Sequence, residues 1–155
     1  MSMEKSERSA KMLEFVRKLV DDENVQLRNG FSSCLKPTVL DCSYEDSTLT
    51  IAYDMTLAHT DMDGSVAKGI LATVLDLSCG ILVTGLNGSS YPPTIRINAN
   101  FICPVHTGDT LICRSYARNF GSKTVNLYCE AFTKDHDGPV ATATCVFISP
   151  RVWAS

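Results

Sequence analysis

The sequence predicts an α+β fold in which a curled antiparallel sheet wraps around one central helix, with a further helix at the N-terminus. An apolar helical pattern runs through about 66–83; two strand-like segments precede it, and four more follow it with short turns between them. Strands joined by short turns pair antiparallel, and a helix that is apolar nearly all round belongs inside a domain. A sheet long enough to curl must therefore cover that helix.

An amphipathic helix and a hairpin are expected before the central helix. Apolar residues recur at helical spacing through 9–21. They are Met12, Phe15, Val16, Leu19 and Val20. Two strands are expected at 38–44 and 48–54, joined by a hairpin turn at 45–47. The polar segment between the helix and the hairpin is expected to be a loop.

Four strands are expected after the central helix, beyond a break at 87–93 that contains glycine and proline. Each alternates apolar and polar residues at period two, as a strand with one buried face does. Their ranges are 94–102, 110–118, 123–133 and 140–149. In the first of them, the face expected to be buried consists of Ile95, Ile97, Ala99 and Phe101. The tail, 150–155, is expected to be loose.

Length, charge and hydropathy favour a single domain that neither binds nucleic acid nor spans a membrane. The 155 residues fit a single domain, 1–155, with a sizeable core. The net charge is −3 and the basic residues are scattered, which does not favour nucleic acid binding. The charged N-terminus lacks the apolar segment of a signal peptide, and the central helix is too short and too rich in small polar residues for a membrane span. We therefore expect no nucleic acid partner and no membrane span.

The seven cysteines are interpreted as reduced thiols. Their number is odd, and no Cys or His pair has the spacing of a zinc site. Most fall at positions of strand or helix periodicity, where a free cysteine behaves as a small hydrophobic residue. A cytoplasmic protein is expected, with the mitochondrial matrix as the alternative, although Glu4 and Glu7 argue against a transit peptide. No metal or cofactor is implied.

One carboxylate, Asp76, lies on the central helix within a stripe of small residues. The stripe consists of Gly69, Ala72, Thr73 and Gly80, and it leaves room for another group to approach the helix backbone. A carboxylate on a buried helix is costly unless it is paired or used. Two interpretations stay open, a structural Asp76 satisfied by Thr73 or by a neighbouring backbone N–H, and a functional one.

The loop before the central helix and the start of that helix carry a motif. Residues 59–69 read HTDMDGSVAKG, the acid Asp76 follows, and 104–109 form a P-x-x-x-G-D turn. The motif resembles the H-x-N-x-x-G-x-x-H-G-G segment of the PaaI-like acyl-CoA thioesterases, which belong to the 4-hydroxybenzoyl-CoA thioesterase superfamily, and its spacing is preserved without a gap. The resemblance covers 10–149. It implies the hotdog fold and hydrolysis of an acyl-CoA thioester to free acid and CoA.

The resemblance implies a role for four residues at the reacting centre. Asp76 would act on the thioester as general base or as nucleophile. The backbone N–H of Lys68 would polarise the thioester carbonyl, since a helix N-terminus favours a developing oxyanion. Thr94 falls where the family often has a Ser or Thr that helps to hold the water, and Asp61 falls where the family has an Asn.

The resemblance also implies residues that bind the substrate. Gly64 and Gly69 keep two glycines of the family motif. Arg118 and Lys123 bracket a turn that contains Gly121, and basic residues around this turn commonly meet the CoA phosphates in the family. Ordinary solvated charge is the alternative for both cations.

Three positions depart from the family motif. The family's His is Ala67, its Asn is Asp61 and its middle Gly is Lys68. Lysine keeps the backbone N–H, and its side chain could keep Asp76 or Asp61 ionised if it folded inward. These departures support a second hypothesis, a non-catalytic protein that binds acyl-CoA or an acyl group on the same fold. A third hypothesis, a hotdog dehydratase, would use His59, which lies far from the helix start.

An oligomer is expected from the same resemblance. Domains of this type join two sheets edge to edge, with sites at the interface, often as dimers of dimers. A free edge strand would otherwise be an aggregation risk. The expected assembly is therefore a homodimer or homotetramer, while the acyl group and the carrier, CoA or protein-bound pantetheine, stay open.

Overall fold

The computed structural model describes residues 6–22, 30–88 and 91–153 of the chain. Helices α1, α2 and α3 span Glu7–Asp21, Lys68–Asn87 and Pro150–Trp153. Strands β1 to β6 span, in chain order, Thr38–Ser43, Thr48–Asp54, Thr94–Phe101, Thr110–Phe120, Thr124–Phe132 and Ala141–Ile148. Short 3₁₀ turns at Phe31–Cys34 and Leu57–His59 lie before β1 and after β2.

The six strands form one antiparallel sheet in the order β1-β2-β4-β5-β6-β3. Every second residue along β5 and β6 is buried, as the period-two pattern predicted. These side chains form one core with α2, to which Leu111, Leu82 and Phe147 all contribute. The predicted α+β architecture is therefore confirmed, with a curled sheet around a central helix and the N-terminal helix beside it.

Helix α1 covers one end of this core. It begins two residues earlier than predicted, because the side chain of Ser6 caps it by accepting a hydrogen bond from the Ser9 N–H, 3.1 Å. The Ser9 hydroxyl donates to the carboxylate of Glu45, 2.7 Å, which ties α1 to the turn between β1 and β2. Met12 and Val16 are buried, so the predicted amphipathic helix is confirmed.

Helix α2 begins at Lys68, two residues later than the apolar pattern predicted. Val66 and Ala67 are extended, because their N–H groups donate to the carbonyls of Val105 and His59 at 2.7 and 2.9 Å. Pairing with residues distant in the sequence therefore keeps these two out of the helix.

The C-terminal end of α2 lies four residues beyond the predicted one. Gly88 has a left-handed backbone, φ +69°, and its N–H donates to the Thr84 carbonyl at 2.8 Å. A glycine in this conformation ends a helix at low cost. The Thr84 hydroxyl bonds back to the Gly80 carbonyl, 2.9 Å, so a polar residue is accommodated inside the last turns.

By length and composition, α2 is the one described helix that could cross a membrane. All nine residues from Leu77 to Gly85 are buried within the fold. The apolar composition of α2 is accounted for by this central position, where the sheet and α1 cover it.

Other boundaries also differ from those predicted from the sequence. Strand β4 continues to Phe120 and β5 begins at Thr124, so the predicted turn at 119–122 moves to 121–123. The described part of the tail predicted to be loose, 150–153, forms α3, and Pro150 is buried. Most of the loop predicted before β1, residues 23–29, lies outside the described residues.

The cysteines are all free, as predicted. Five of the seven are buried in the core, and they lie on β1, α2 and the strands β4, β5 and β6. These are Cys42, Cys79, Cys113, Cys129 and Cys145. Their positions agree with the interpretation of free cysteines as small hydrophobic residues.

Candidate active site

The carboxylate of Asp76 meets the hydroxyl of Thr94, which donates a hydrogen bond to Oδ1 at 2.9 Å. Asp76 is half-buried, and this burial raises its pKa above the ordinary value, while the bond from Thr94 opposes the shift. The Thr73 hydroxyl donates instead to the Gly69 carbonyl, 2.7 Å. The structural alternative in which Thr73 satisfies Asp76 is therefore wrong.

A β-bulge turns Thr94 toward Asp76. Thr94 pairs with Phe147, but Arg96, two residues on, pairs with its neighbour Val146, so Ile95 is the extra residue of β3. Strict alternation would have placed Thr94 on the outer face with Arg96. A bulge changes the face to which the residues before it point, and here it brings the Thr94 hydroxyl to the helix side.

The predicted buried face of β3 is confirmed for Ile97 and Ala99, which pack against the core, and wrong for Ile95 and Phe101. Ile95 is 54% exposed and Phe101 is 41% exposed, and only Ile97 and Ala99 are half-buried. The bulge accounts for Ile95. The position of β3 at the end of the sheet, with β6 as its only neighbouring strand, accounts for the rest, because nothing in the described chain covers its free side.

The N-terminus of α2 has no side-chain cap. Ala67 occupies the capping position and makes no side-chain hydrogen bond, and the Ile70 and Leu71 N–H groups both turn to its carbonyl. The first N–H groups of a helix have no partner within it, so those of Lys68 and Gly69 are the donors that this end presents. A Cβ on Gly69 would meet nothing within 4 Å, which shows open space beside them.

The side chain of Lys68 points away from Asp76. Its Nζ donates to the hydroxyl of Ser65 at 3.2 Å, and its positive charge helps to lower the pKa of Asp63. The causes of the shifted Asp76 pKa are burial and Thr94, and Lys68 is not among them. The side chain of Lys68 therefore does not fold inward to Asp76 of its own chain.

Asp61 is held within its own loop. Its Oδ1 accepts the Met62 N–H at 2.8 Å, and the carboxylate is exposed. Asp63 accepts the N–H and hydroxyl of Ser65 at 2.9 and 2.7 Å, and these bonds lower its pKa. The structure thus brings Thr94 to Asp76 but gives Asp61 a local role in the loop.

Two of the candidate glycines have structural roles. Gly64 has φ +81°, a conformation that disfavours other residues in the turn before α2. A Cβ on Gly121 would lie 2.8 Å from the Thr124 carbonyl oxygen, which accepts the Gly121 N–H at 2.9 Å. Both loops therefore need glycine for their shape, whatever they bind.

Arg118 lies on the face of the sheet opposite α2. Its guanidinium stands over the rings of Tyr116 and Tyr128, 5.6 and 5.8 Å from their centroids. With Arg96 it lines a groove of about 380 Å³, whereas Lys123 is exposed in the neighbouring turn. The structure therefore separates these cations from Asp76 within one chain, and adds Arg96, which the sequence did not single out as a binding residue.

Tyr91 is a further residue of the site that the sequence did not reveal. Its hydroxyl end lies on Gly80, one turn beyond Asp76, so closely that a Cβ on Gly80 would overlap it. Burial and the charge of Asp76 both raise the pKa of this phenol. The small-residue stripe indicated that some group approaches Gly80, but no local pattern identifies which residue does.

His59 has a structural role. It is buried, its Nδ1 accepts the Thr56 N–H at 3.0 Å, and its Nε2 lies 3.1 Å from the Cys34 carbonyl oxygen. Both ring nitrogens are occupied, so the dehydratase hypothesis lacks its free imidazole. Among the described residues, no group of three His, Cys, Asp or Glu side chains could hold a metal ion.

The sequence profile of the thioesterase superfamily matches residues 63–140. The match spans half of the chain and includes the loop, α2, β3, β4 and β5. The chain therefore belongs to the thioesterase superfamily. A search of curated protein sequences finds no match.

Solved structures show the same fold. A phenylacetic acid degradation-related protein from Ralstonia eutropha matches with a TM-score of 0.75 and 24% identity, over 86% of this chain and 98% of that one. The PaaI protein of E. coli matches with 0.74 and 16%, over 91% and 94%. A hypothetical thioesterase from Streptococcus pneumoniae, solved with coenzyme A, matches with 0.66 and 16%, over 74% and 88%. The chain is thus a member of the thioesterase superfamily with the hotdog fold that these structures share.

Proposed function

We propose that this protein hydrolyses an acyl-CoA thioester to free acid and CoA. The observation that carries the proposal is the hydrogen bond between Asp76 and Thr94 on the small-residue face of α2, in a chain that belongs to the thioesterase superfamily. The structural likeness to a protein solved with coenzyme A supports CoA as the carrier.

Asp76 is suited to activate water. Burial raises its pKa, so the carboxylate is a stronger base than an exposed one. The Thr94 hydroxyl donates a hydrogen bond to Asp76 and keeps oxygen lone pairs that can accept a hydrogen bond from a water molecule. The water oxygen bonds to the thioester carbon as its proton passes to Asp76; the C–S bond then breaks and the CoA sulfur takes that proton. In the alternative, Asp76 attacks the carbon itself, the C–S bond breaks to leave an acyl anhydride on Asp76 and the CoA thiolate, and water then hydrolyses the anhydride to free acid while one of its protons passes to the thiolate.

The Lys68 N–H and Asp76 of one chain cannot serve the same thioester. They lie eight residues apart on one helix, about 12 Å along its axis. A second copy of the chain can supply the missing group, since β3 has a free edge on the side of Asp76. We therefore propose a homodimer, or a homotetramer built from it, in which Lys68 of one copy faces Asp76 of the other.

The CoA phosphates are assigned to the cations on the outer face of the sheet. Arg96 and Arg118 line one groove there, and Lys123 lies in the adjacent turn. Phosphate binding by arginine is favoured by paired N–H donors. Because these residues lie away from Asp76 of their own chain, the assignment also requires the dimer.

We further propose that the protein resides in a reducing compartment of the cell. Seven free cysteines support a cytoplasmic protein, or one of the mitochondrial matrix.

The experiment that tests the proposed function measures CoA release from a panel of acyl-CoAs by mass detection, which avoids dyes that react with the cysteines. Asp76→Asn should lower kcat by about 10²–10⁴-fold. Asp61→Asn is the matched control, because this carboxylate is held in the loop, and should stay within a few-fold of wild type. Binding of acyl-CoA without release by the wild type would instead establish the non-catalytic hypothesis.

A further inference from the structure

Tyr91, in the segment between α2 and β3, is inserted against the small-residue face of α2. The residue is 37% exposed overall, but its hydroxyl and the adjoining ring carbons lie directly on Gly80. Burial and the charge of Asp76 both raise the pKa of this phenol. Its ring end therefore lies inside the fold, beside the carboxylate proposed to act on the thioester.

The face of α2 around Asp76 is open in one direction and closed in the other. Toward the helix N-terminus, Gly69 has empty space beside it and Thr73 is half-buried. Toward the C-terminus, Gly80 is buried under Tyr91. A group that leaves Asp76 in that direction meets the phenol after about one helical turn, roughly 6 Å.

We propose that Tyr91 is a specificity-determining residue that closes the acyl pocket and restricts the protein to thioesters of short acyl groups. This inference rests on the proposed function, because it takes the thioester carbon to lie at Asp76. The acyl chain then runs along the small-residue face and ends at the ring. Gly80 is needed for this closure of the pocket, since any side chain at this position would displace the phenol.

The surroundings of the ring indicate what its removal would create. Cys79 directly precedes Gly80 on α2 and Cys145 lies on β6; both thiols are free and buried in the core, and both help to raise the pKa of the phenol. A buried thiol behaves as a small hydrophobic group. Truncating Tyr91 would therefore lengthen the pocket with an apolar wall that an alkyl chain can contact.

The test measures binding of S-alkyl-CoA thioethers, which cannot be hydrolysed, by titration calorimetry with ethyl, butyl, hexyl, octyl and dodecyl chains. For the wild type, affinity should fall about tenfold or more beyond the short chains, a difference of about 1.4 kcal/mol. Tyr91→Ala should move this cutoff to longer chains. Tyr91→Phe keeps the ring and should keep the cutoff, as should Tyr44→Ala, since Tyr44 lies in the turn after β1 beside Arg8.

Gly80→Ala gives an independent arm, because the added methyl forces the phenol from its place; a cutoff that then differs from that of the wild type supports the proposal. An unchanged cutoff in both Tyr91→Ala and Gly80→Ala overturns it, as does a wild type that binds the dodecyl and butyl thioethers equally or binds none.

CoA release from the matching acyl-CoAs, measured on the same proteins, separates the role of Tyr91 from the proposed hydrolysis. If the variants move the cutoff but the wild type releases no CoA, the role of Tyr91 in binding stands and the thioesterase proposal fails.

Discussion

The two halves of α2 have a similar composition, but the first half is largely uncovered and the second half is buried. In the first half, 68–76, only Leu71, Val74 and Leu75 are buried, whereas in the second half all nine residues from Leu77 to Gly85 are buried. Both halves mix large apolar residues with small ones. The candidate active site lies on the first half, and the core of the fold surrounds the second.

Three glycines on this helix make the difference concrete. Gly69 has open space beside it, Gly80 lies under Tyr91, and Gly85 packs against Met12 and Val16 of α1. One residue type therefore gives access at the first position and close packing at the other two. What covers the helix, and not its own composition, decides where a substrate can approach.

Apart from the loss of Asp76 itself, the largest expected effect concerns the first turn of α2. Lys68→Pro removes only one backbone N–H, at a position where proline fits a helix, and Ala67 already has the extended backbone that proline favours before it, φ −57° and ψ 136°. If this N–H polarises the thioester carbonyl, kcat should fall by about 10²–10³-fold. Lys68→Ala, which keeps the N–H, should change kcat only a few-fold; equal losses in both variants would contradict the assignment.

Mixing two inactive proteins tests whether the site is shared between copies. A dimer of Lys68→Pro with Asp76→Asn retains one intact pairing, in which Lys68 comes from one chain and Asp76 from the other. Such mixed dimers should recover about half of the activity per dimer by this geometry. No recovery after subunit exchange, confirmed by mass spectrometry of the mixed species, would place both groups within one chain.

A smaller effect is expected at the covered end of the helix. In Gly85→Ala the new methyl would lie 2.7 Å from Val16 Cγ1 and 2.9 Å from Met12 Cε. Overpacking of this kind should lower the free energy of unfolding by about 1–2 kcal/mol, measured by urea denaturation. The added variant Val16→Ala should relieve part of the loss, and strictly additive losses would show that the two residues do not press on each other.

Gly69→Ala, at the open end of the helix, should raise stability and lower hydrolysis. Nothing opposes a methyl group there, and alanine favours a helix more than glycine does, so stability should rise by about 0.5 kcal/mol. Hydrolysis should fall, because the methyl enters the space proposed for the thioester. An alanine variant with unchanged kcat/KM would remove Gly69 from the binding site.

A small effect is also expected on the stability of the Asp76→Asn variant. Since the folded pKa of Asp76 is raised, the folded state holds its proton more tightly than the unfolded state, and stability is lost as pH rises through the window between the ordinary and the raised pKa. Asparagine avoids this loss and should raise stability at neutral pH by less than about 1 kcal/mol, because the half-exposed carboxylate is screened. The gain should vanish below the ordinary carboxyl pKa in thermal melts across pH.

The elements that could be predicted were those with a local signal. The alternation of Val125, Leu127 and Cys129 predicted the buried face of β5, which the structure confirms. The helical spacing of Met12 and Val16 predicted the buried face of α1. Boundaries were less accurate, because the start of α2 depends on a hydrogen bond from Val66 to Val105, which no local pattern encodes.

The candidate site shows the same division. Asp76 could be singled out from the sequence, since a carboxylate in a stripe of small residues is costly without a use. Its partner was less certain, because period two places Thr94 on the outer face of β3, and only the shifted pairing between β3 and β6 turns the hydroxyl toward α2. The direction of Lys68 was equally undecided until Ser65 proved to be its acceptor.

Local periodicity and turn chemistry, which are properties of adjacent residues, were enough to determine the order of helices and strands, the core faces of β5 and α1, and Asp76 as the residue of interest. The contact of Tyr91 with Gly80, the face shown by Thr94 and the open first half of α2 depend on which distant segments meet. Such meetings are set by packing of the whole chain and by strand register, where a one-residue bulge reverses the face of every residue before it.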